Sequence, residues 1–370
     1  MKKRTILIAS VLKPVDDTRA FGKLGVTLER HGYEVHLVGR SVSPPASPNI
    51  KCHSLGSFSR LSWRRVFAPL QVLVKVFQVK PEVLIVTTHE LLIVAIINRI
   101  IFGRLFIYDI QENYAANIRF GDGFPRGLRG LIAGWVRVKE RLAAWLAAGF
   151  WLAEKCYRSE LNFLPAGRVW VVENKAKKPS QLPARKPLNP ATLSLLFTGT
   201  LSGSTGLWCA LDLARSLRQV SPALTLHLAG YCARKSELDR LREELERQDY
   251  ITLEGGDRLV PHSRVLELIS QKDIGLVLNP VSMANEHRIP TKLYEYVAYR
   301  LPILVTRHRP WVEFVHFYQA GVAVDLRYPD PEKLIAALTG QPFYGQEPTG
   351  VYWEEEEAKV IEALRRVLAQ

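Results

Sequence analysis

Along this chain, short runs rich in β-branched residues alternate with segments of helical periodicity, and the alternation is interrupted only once. In the first half the runs are TILIAS (5–10), EVHLVG (34–39), VLIVTT (83–88), LFIYDI (105–110), GFWLAE (149–154) and RVWVVEN (168–174). Amphipathic segments at 18–31, 61–79 and 125–147 lie between them. Parallel strands need long crossovers, so this strand, helix, strand repetition predicts a parallel sheet covered on both faces, the doubly wound arrangement.

The interruption is KAKKPSQLPARKPLNP (175–190), whose four prolines and five basic residues carry no apolar period and read as an exposed interdomain linker. The alternation then restarts with LSLLFTG (193–199), a helix at 207–219, LTLHLAG (224–230), a charged helix at 233–248 and ITLEGG (251–256). IGLVLN (274–279), a helix at 291–300, PILVT (302–306) and VAVD (322–325) follow. A chain of 370 residues exceeds what one core usually serves. The expected organisation is α/β, with doubly wound domains at 1–174 and 191–345, a linker between them, and a helix within 350–370. That helix has glutamates at its start and arginines near its end, matching the helix dipole. Apart from the linker and 340–350, the whole chain reads as folded. Open α/β sheets bind ligands beyond the carboxyl ends of their strands, so a cleft between the two domains is the expected active site.

Charge is unevenly placed. Of the formal net +14, residues 1–185 carry +16 and residues 186–370 carry −2. The excess predicts an anionic partner for the first half: nucleic acid, an anionic membrane surface, or an acceptor bearing phosphates. Without zinc-finger spacing or an aromatic ribonucleoprotein motif, nucleic acid is set aside. Two segments bear on the membrane. Trp63, Phe67, Leu70, Val74 and Phe77 recur at helical spacing among basic residues, as do Leu128, Leu131, Trp135, Val138, Leu142 and Trp145. Two readings are open for each: an amphipathic helix on an anionic surface, or a core stripe, the commoner use of such spacing. The most apolar stretch, 91–107, is broken by Asn98, Arg99 and Arg104 and falls short of a membrane span. The start, MKKRTILIAS, reads as a first strand and not as a signal peptide. Cys52, Cys156, Cys209 and Cys232 are widely spaced with no C-x-x-C, so buried thiols in a reducing, cytoplasmic compartment are expected.

The segment 279–306, NPVSMANEHRIPTKLYEYVAYRLPILVT, runs from a strand end through a polar loop to a helix opening at Pro290, then to a Pro-led strand. Unpaired amides and the dipole make a helix N-terminus a phosphate site. Lys292 sits in the first turn, where a cation opposes the dipole by roughly 0.3–1 kcal/mol unless an anion is bound there. Glu295 lies one turn along the same face, placed to accept ribose hydroxyls while Lys292 contacts a diphosphate. A surface Lys292–Glu295 pair is the rival reading.

PTKLYEYVAYRLPILVT resembles the donor-binding signature of the family 4 glycosyltransferases of the GT-B fold, in which a Pro-x-Lys-x-x-Glu-Tyr-x-Ala helix precedes a Pro-Ile-Leu-Val strand. PVDDTRAFGKLGVTLERHGYEVHLVG resembles that family's first β-α-β unit, and QKDIGLVLNP and GVAVDLRYPDPEKLIAAL resemble its last strands. The resemblance implies two Rossmann-like domains facing an interdomain cleft, with transfer of a sugar from a nucleotide-diphosphate donor to a glycan or lipid-linked acceptor. It implies retention of configuration, a role in polysaccharide biosynthesis, and no cofactor beyond the nucleotide sugar. It assigns Glu295 to the ribose and Lys292, with Thr291 and the helix amides, to the diphosphate. A second glutamate that relatives often carry falls on His287, with Glu286 adjacent. Where many relatives have an Arg and a Lys after the first strand of the second domain, this chain reads GTLSGSTG, so Gly199, Thr200, Ser202, Gly203 and Ser204, with Thr205, substitute through amides and hydroxyls.

In the first half, His89 follows one strand and Asp109, Gln111, Glu112 and Asn113 follow another. His89 matches a family histidine that contacts the donor sugar, and Glu112 joins it as a catalytic candidate. Asp16, Asp17, Arg19 and Asp109 are the candidate acceptor contacts. No Asp-x-Asp occurs, which weighs against a chelated metal on the donor. Two rival functions share the architecture: a non-hydrolysing nucleotide-sugar epimerase, and a nucleotide-sugar-binding scaffold without catalysis.

Overall fold

The computed structural model describes residues 3–41, 47–58, 63–121, 123–185, 187–283 and 285–370. The chain divides into two compact units, Met1–Asn174 with Trp353–Gln370, and Lys175–Tyr352. The first is built on seven strands: β1 (Thr5–Pro14), β2 (Glu34–Arg40), β3 (Ile50–Ser54), β4 (Val83–Val86), β5 (Leu105–Ile110), β6 (Gly149–Leu152) and β7 (Val169–Val171). All pair in parallel, in the order β3-β2-β1-β4-β5-β6-β7. Its helices are α1 (Val26–Arg30), α2 (Trp63–Val79), α3 (Leu92–Phe102), α4 (Tyr114–Phe120), α5 (Arg126–Leu146) and α6 (Tyr157–Glu160).

Strand alternation sends side chains to both faces of the sheet, and both are covered. Leu7, Ala9 and Val11 of β1 share one core with Ala68, Val72 and Val76 of α2, Val94 and Ala95 of α3, and Ala143 and Ala144 of α5. Ile6 and Ile8 enter a second core with Leu24, Leu28 and residues from the end of the chain.

The second unit repeats the plan with β8 (Ser194–Thr200), β9 (Thr225–Tyr231), β10 (Ile251–Gly256), β11 (Ile274–Val277), β12 (Ile303–Thr306) and β13 (Gly321–Val324). They form a parallel sheet of order β10-β9-β8-β11-β12-β13. Its helices are α7 (Leu207–Arg218), α8 (Lys235–Leu245), α9 (His262–Gln271), α10 (Thr291–Ala298), α11 (Arg309–Phe317) and α12 (Pro331–Thr339), flanking two cores. In each sheet the strand order reverses beside the first strand, at β1/β4 and β8/β11. These are the switch points where diverging connections leave room for a ligand.

The last helix, α13 (Glu354–Leu368), does not stand apart: Trp353, Val360, Ile361, Leu364 and Val367 join Ile6 and Ile8 in the core of the first unit. Residues 175–190, expected as an exposed linker, are tied to the second unit. Ala176 forms a parallel bridge to Tyr352, and the Arg185 guanidinium donates to the carbonyls of Ile269, Lys272 and Tyr299 at 2.7–2.9 Å. Arg185 thereby satisfies carbonyls orphaned at the ends of α9 and α10, and burial brings its pKa down to about 10; Lys186 lies outside the described residues. Residues 340–350 are also anchored, the Tyr344 hydroxyl donating to Leu301 O at 2.6 Å. Edge strand β3 was not anticipated, and of the four thiols Cys232 alone is buried, the other three being half-buried.

Candidate functional site

The two switch points gather most of the residues singled out above. In the second unit, α10 opens at Pro290, whose extended backbone (φ −57°, ψ 139°) turns the chain from loop to helix, and no side chain caps the leading turn. Lys292 and Tyr296 lie four residues apart and so share a helix face. Both reach back to the end of β8: Lys292 Nζ donates to Thr198 O at 3.0 Å, and the Tyr296 hydroxyl lies 2.9 Å from Thr198 Oγ1. The ammonium also lies over the Phe197 ring, 4.9 Å from its centroid. Burial brings the Lys292 pKa down to about 8, against the opposing pull of Glu295. Any anion arriving there meets a cation already stripped of much of its water.

Glu295, one turn along from Lys292, is buried, its side chain 12% exposed, and its Oε1 lies 2.8 Å from His262 Nε2. His262 was missed in the sequence. It is the first residue of α9, after Pro261 and the Gly255–Gly256 end of β10. The only signal was a strand end, a glycine pair and a proline before a helix, a pattern that names no chemistry.

The loop after β8 has a structural cause for its glycines. Gly206 has φ +86°, and a Cβ there would sit 2.2 Å from Leu278 O; one on Gly230 would sit 1.7 Å from Gly199 O. The backbones meet too closely for side chains at the ends of β8, β9 and β11. Gly199, Thr200 and Ser204 are exposed, and Ser202 and Thr205 are half-buried. Their hydroxyls are partly spent on one another: Ser202 Oγ lies 2.9 Å from Ser204 Oγ, and Thr205 Oγ1 donates to Thr200 O at 2.6 Å. The Gly203 amide, expected to face an anion, donates to Glu237 Oε1 at 2.6 Å. Thr291 is half-buried in the first turn of α10. Glu286 and His287 are exposed on a turn of the loop before α10. That loop is tied at its base by Asn285 Nδ2 donating to Pro280 O and by Trp311 Nε1 donating to Arg288 O.

In the first unit, His89 begins a 3₁₀ turn past the end of β4. Burial pushes its imidazole down to about 4, so it is neutral near pH 7, and Lys139 Nζ sits 3.0 Å from Nδ1. The ring stands edge-on to Tyr114, and Glu90 Oε2 lies 3.6 Å from Nε2. A neutral imidazole accepting from a lysine is suited to hydrogen bonding and not to donating a proton. Glu112 is half-buried and accepts from Asn117 Nδ2 at 2.9 Å. Asn113 caps α4 by accepting from Ala116 N.

Three expected acceptor contacts are otherwise engaged. Arg19 and Asp109 are 1% and 0% exposed and face each other, with Arg19 Nη2 to Asp109 Oδ1 at 2.6 Å and Nε to Oδ2 at 2.9 Å. Gln111 Nε2 donates to the same carboxylate at 2.8 Å. They are an interior ion pair, not surface contacts, because a buried guanidinium needs a buried partner. Asp17 accepts from the amides of Arg19 and Ala20 and closes the turn that follows β1. Asp16 alone of the four is exposed.

No family model matches the chain, and no curated protein matches it in sequence. Solved structures do match in three dimensions. Sucrose-phosphate synthase from Thermosynechococcus elongatus has a TM-score of 0.71 at 14% identity, over 99% of this chain and 100% of that one. Anabaena HepE, solved with UDP and glucose, has a TM-score of 0.63 at 14% identity, over 98% and 100%. WaaG, a glycosyltransferase involved in lipopolysaccharide biosynthesis, has a TM-score of 0.63 at 14% identity, over 96% and 95%. At this identity the likeness establishes the fold: the chain has the two Rossmann-like units of the GT-B glycosyltransferases.

Proposed function

We propose that the chain is a glycosyltransferase that takes a sugar from a nucleotide-diphosphate donor held by the Lys175–Tyr352 unit. The observation that carries this reading is the leading turn of α10. An uncapped helix N-terminus, an ammonium brought to a pKa of about 8 and a buried carboxylate one turn on stand together at the β8/β11 switch point. Solved structures of the same fold support it, since HepE is described with UDP-glucose and a starch synthase catalytic domain with ADP and acarbose.

In this reading the α10 amides and Lys292 take the diphosphate, and Glu295 takes the ribose hydroxyls while His262 holds its carboxylate in place. As the glycosidic bond breaks, negative charge builds on the leaving diphosphate. Groups already oriented toward it stabilise that charge without reorganising, which is where transition-state stabilisation is largest. Neutral His89 and the exposed Glu286 and His287 are the candidates for sugar contact, and Asp16 for acceptor contact. With no Asp-x-Asp in the chain, Lys292 supplies the charge that a metal supplies elsewhere, so transfer is metal-independent and survives chelation. The acceptor is a glycan or a lipid-linked sugar, and the outcome is retention.

The test is a thermal-shift panel of UDP-, GDP- and ADP-sugars, since a ligand of the folded state raises its midpoint. One nucleotide class is expected to raise the midpoint by several degrees, an effect of about 2–3 kcal/mol at a hundredfold excess over Kd. In Glu295→Gln, with its midpoint otherwise kept, that rise is expected to vanish; an undiminished rise removes the donor assignment.

A further inference from the structure

Every one of the eleven apolar side chains in the stripes of α2 and α5 stands in solvent, from Phe77 at 39% to Trp145 at 83% exposed. The opposite sides of the same helices are apolar too, with Ala68, Val72 and Val76 buried on α2 and Ala133, Val136 and Ala143 buried on α5. A helix that is apolar on both sides is ordinarily covered on both. α3 packs between the two, exposes Ile100, Ile101 and Phe102, and sets Phe102 edge-on to Phe77 of α2 at 5.2 Å. All three helices sink their inner sides into the same core on one face of the sheet, so their outer stripes point the same way. Of the twenty-four exposed large apolar side chains among the described residues, seventeen fall between Trp63 and Trp145. A monomer seldom leaves so much contiguous apolar surface in water.

Charge decides what covers it. Helices α2 to α5 hold ten Lys and Arg; Lys139 is buried and Arg65 and Arg137 pair with Glu90 and Glu140, but the one acidic residue of these helices, Glu140, is buried, so no acidic side chain of theirs faces solvent. The 128, 131, 135, 138, 142, 145 spacing on α5 would also suit a helix pair, but a second copy would bring the same positive flanks against these. No helix among the described residues is long and apolar enough to cross a membrane.

We propose that the outer face of α2, α3 and α5 docks on an anionic lipid bilayer, the helices lying in the headgroup plane with tryptophans inserted and arginines against lipid phosphates. The inference goes beyond the donor-site reading and rests on none of its residues. An enzyme so placed works on acceptors presented at that surface.

Cosedimentation with vesicles of phosphatidylcholine, with and without about 30 mol % phosphatidylglycerol, tests it. Partition onto the anionic vesicles is expected to exceed that onto neutral ones by about tenfold or more, and to fall steeply between about 50 and 500 mM salt. Leu131→Glu with Trp145→Glu, both on solvent-facing positions, is expected to lower that partition at least about tenfold with an unchanged circular dichroism spectrum and melting midpoint. Arg126→Gln with Arg141→Gln keeps the stripe and is expected to flatten the salt dependence. Equal partition onto both vesicle types, or undiminished partition of the Leu131→Glu, Trp145→Glu variant, overturns the proposal. So does a dimer that this variant dissociates while vesicles bind neither form, which would assign the face to a second copy. Donor-induced thermal shift, measured on the same variant, is expected to persist, so loss of vesicle binding and loss of the donor site are separate results.

Discussion

Arg19 and Asp109 stand ninety positions apart in the chain and meet with almost no exposed surface, the guanidinium also donating to Val172 O. Removing one partner of such a pair strands the other charge in low dielectric, which costs far more than the pair itself contributes. Asp109→Ala is therefore expected to lower the unfolding free energy by about 3–5 kcal/mol, read from urea melts, with donor binding intact in the folded fraction. A surface acceptor contact would show the reverse, unchanged stability with lost transfer. Lys292 differs, because burial lowers its pKa to about 8 from 10.5, the pull of nearby Glu295 offsetting only part of the effect. A bound diphosphate favours the ammonium and raises that pKa. Below about pH 8 both free and bound protein hold the proton, and donor affinity is level in this respect. Above it binding must take up a proton, so affinity is expected to fall about tenfold per pH unit, checked by calorimetric titration at successive pH values. The unliganded fold has the opposite sign: its stability rises from pH 8 toward 10.5, as the unfolded chain holds a proton that the folded one has released. The helix that carries Lys292 and Glu295 was legible, since a proline after a polar loop and an apolar period of helical spacing mark its start. For Asp17, Arg19 and Asp109 position alone could not assign a role, because strand ends also hold turn-closing carboxylates and interior ion pairs, which sequence does not distinguish from ligand contacts.

Among elements, those carrying a continuous apolar run were visible in sequence, since burial on both faces of a parallel sheet demands it. β3, IKCHS, has one buried residue of five and lies at the sheet edge, so no such demand marked it. Helix α9 was missed for a related reason, presenting only two buried residues, Leu268 and Ile269. The stripes of α2 and α5 were seen at their correct spacing, but periodicity gives a face and not what the face meets. Here the small residues go inward and the large aromatics outward. In the loop 199–206 the glycines were read as offering backbone amides to a diphosphate. Their first cause is backbone approach, since Gly206 lies against Leu278 O and Gly199 against Gly230. Strands drawn together at β8/β11 also bring α10 over the end of β8, where Lys292 donates to Thr198 O.

At the scale of the whole molecule, the doubled strand–helix alternation and the charge imbalance could be read from the chain, but not which unit its last helix completes. Nothing local to residues 353–370 specifies a partner more than three hundred positions away, as when Trp353 Nε1 donates to Thr27 Oγ1 and Glu357 accepts from Thr27. Packing makes that contact costly to lose. Trp353, Val360, Ile361, Leu364 and Val367 are each at most 5% exposed in a core with Ile6, Ile8 and Leu28. At about 1.5–3 kcal/mol for each large side chain, their removal costs on the order of 10 kcal/mol, comparable with the whole stability of a domain, about 5–15 kcal/mol. A chain ending at Tyr352 is thus expected to lose the first unit's fold while keeping the second's, whose cores contain none of these side chains. Amide exchange should show β1 to β7 unprotected and β8 to β13 protected, with the donor-induced shift of the Lys175–Tyr352 unit retained. Protection of β1 and β2 in the shortened chain would show that α13 covers that core without being needed to form it.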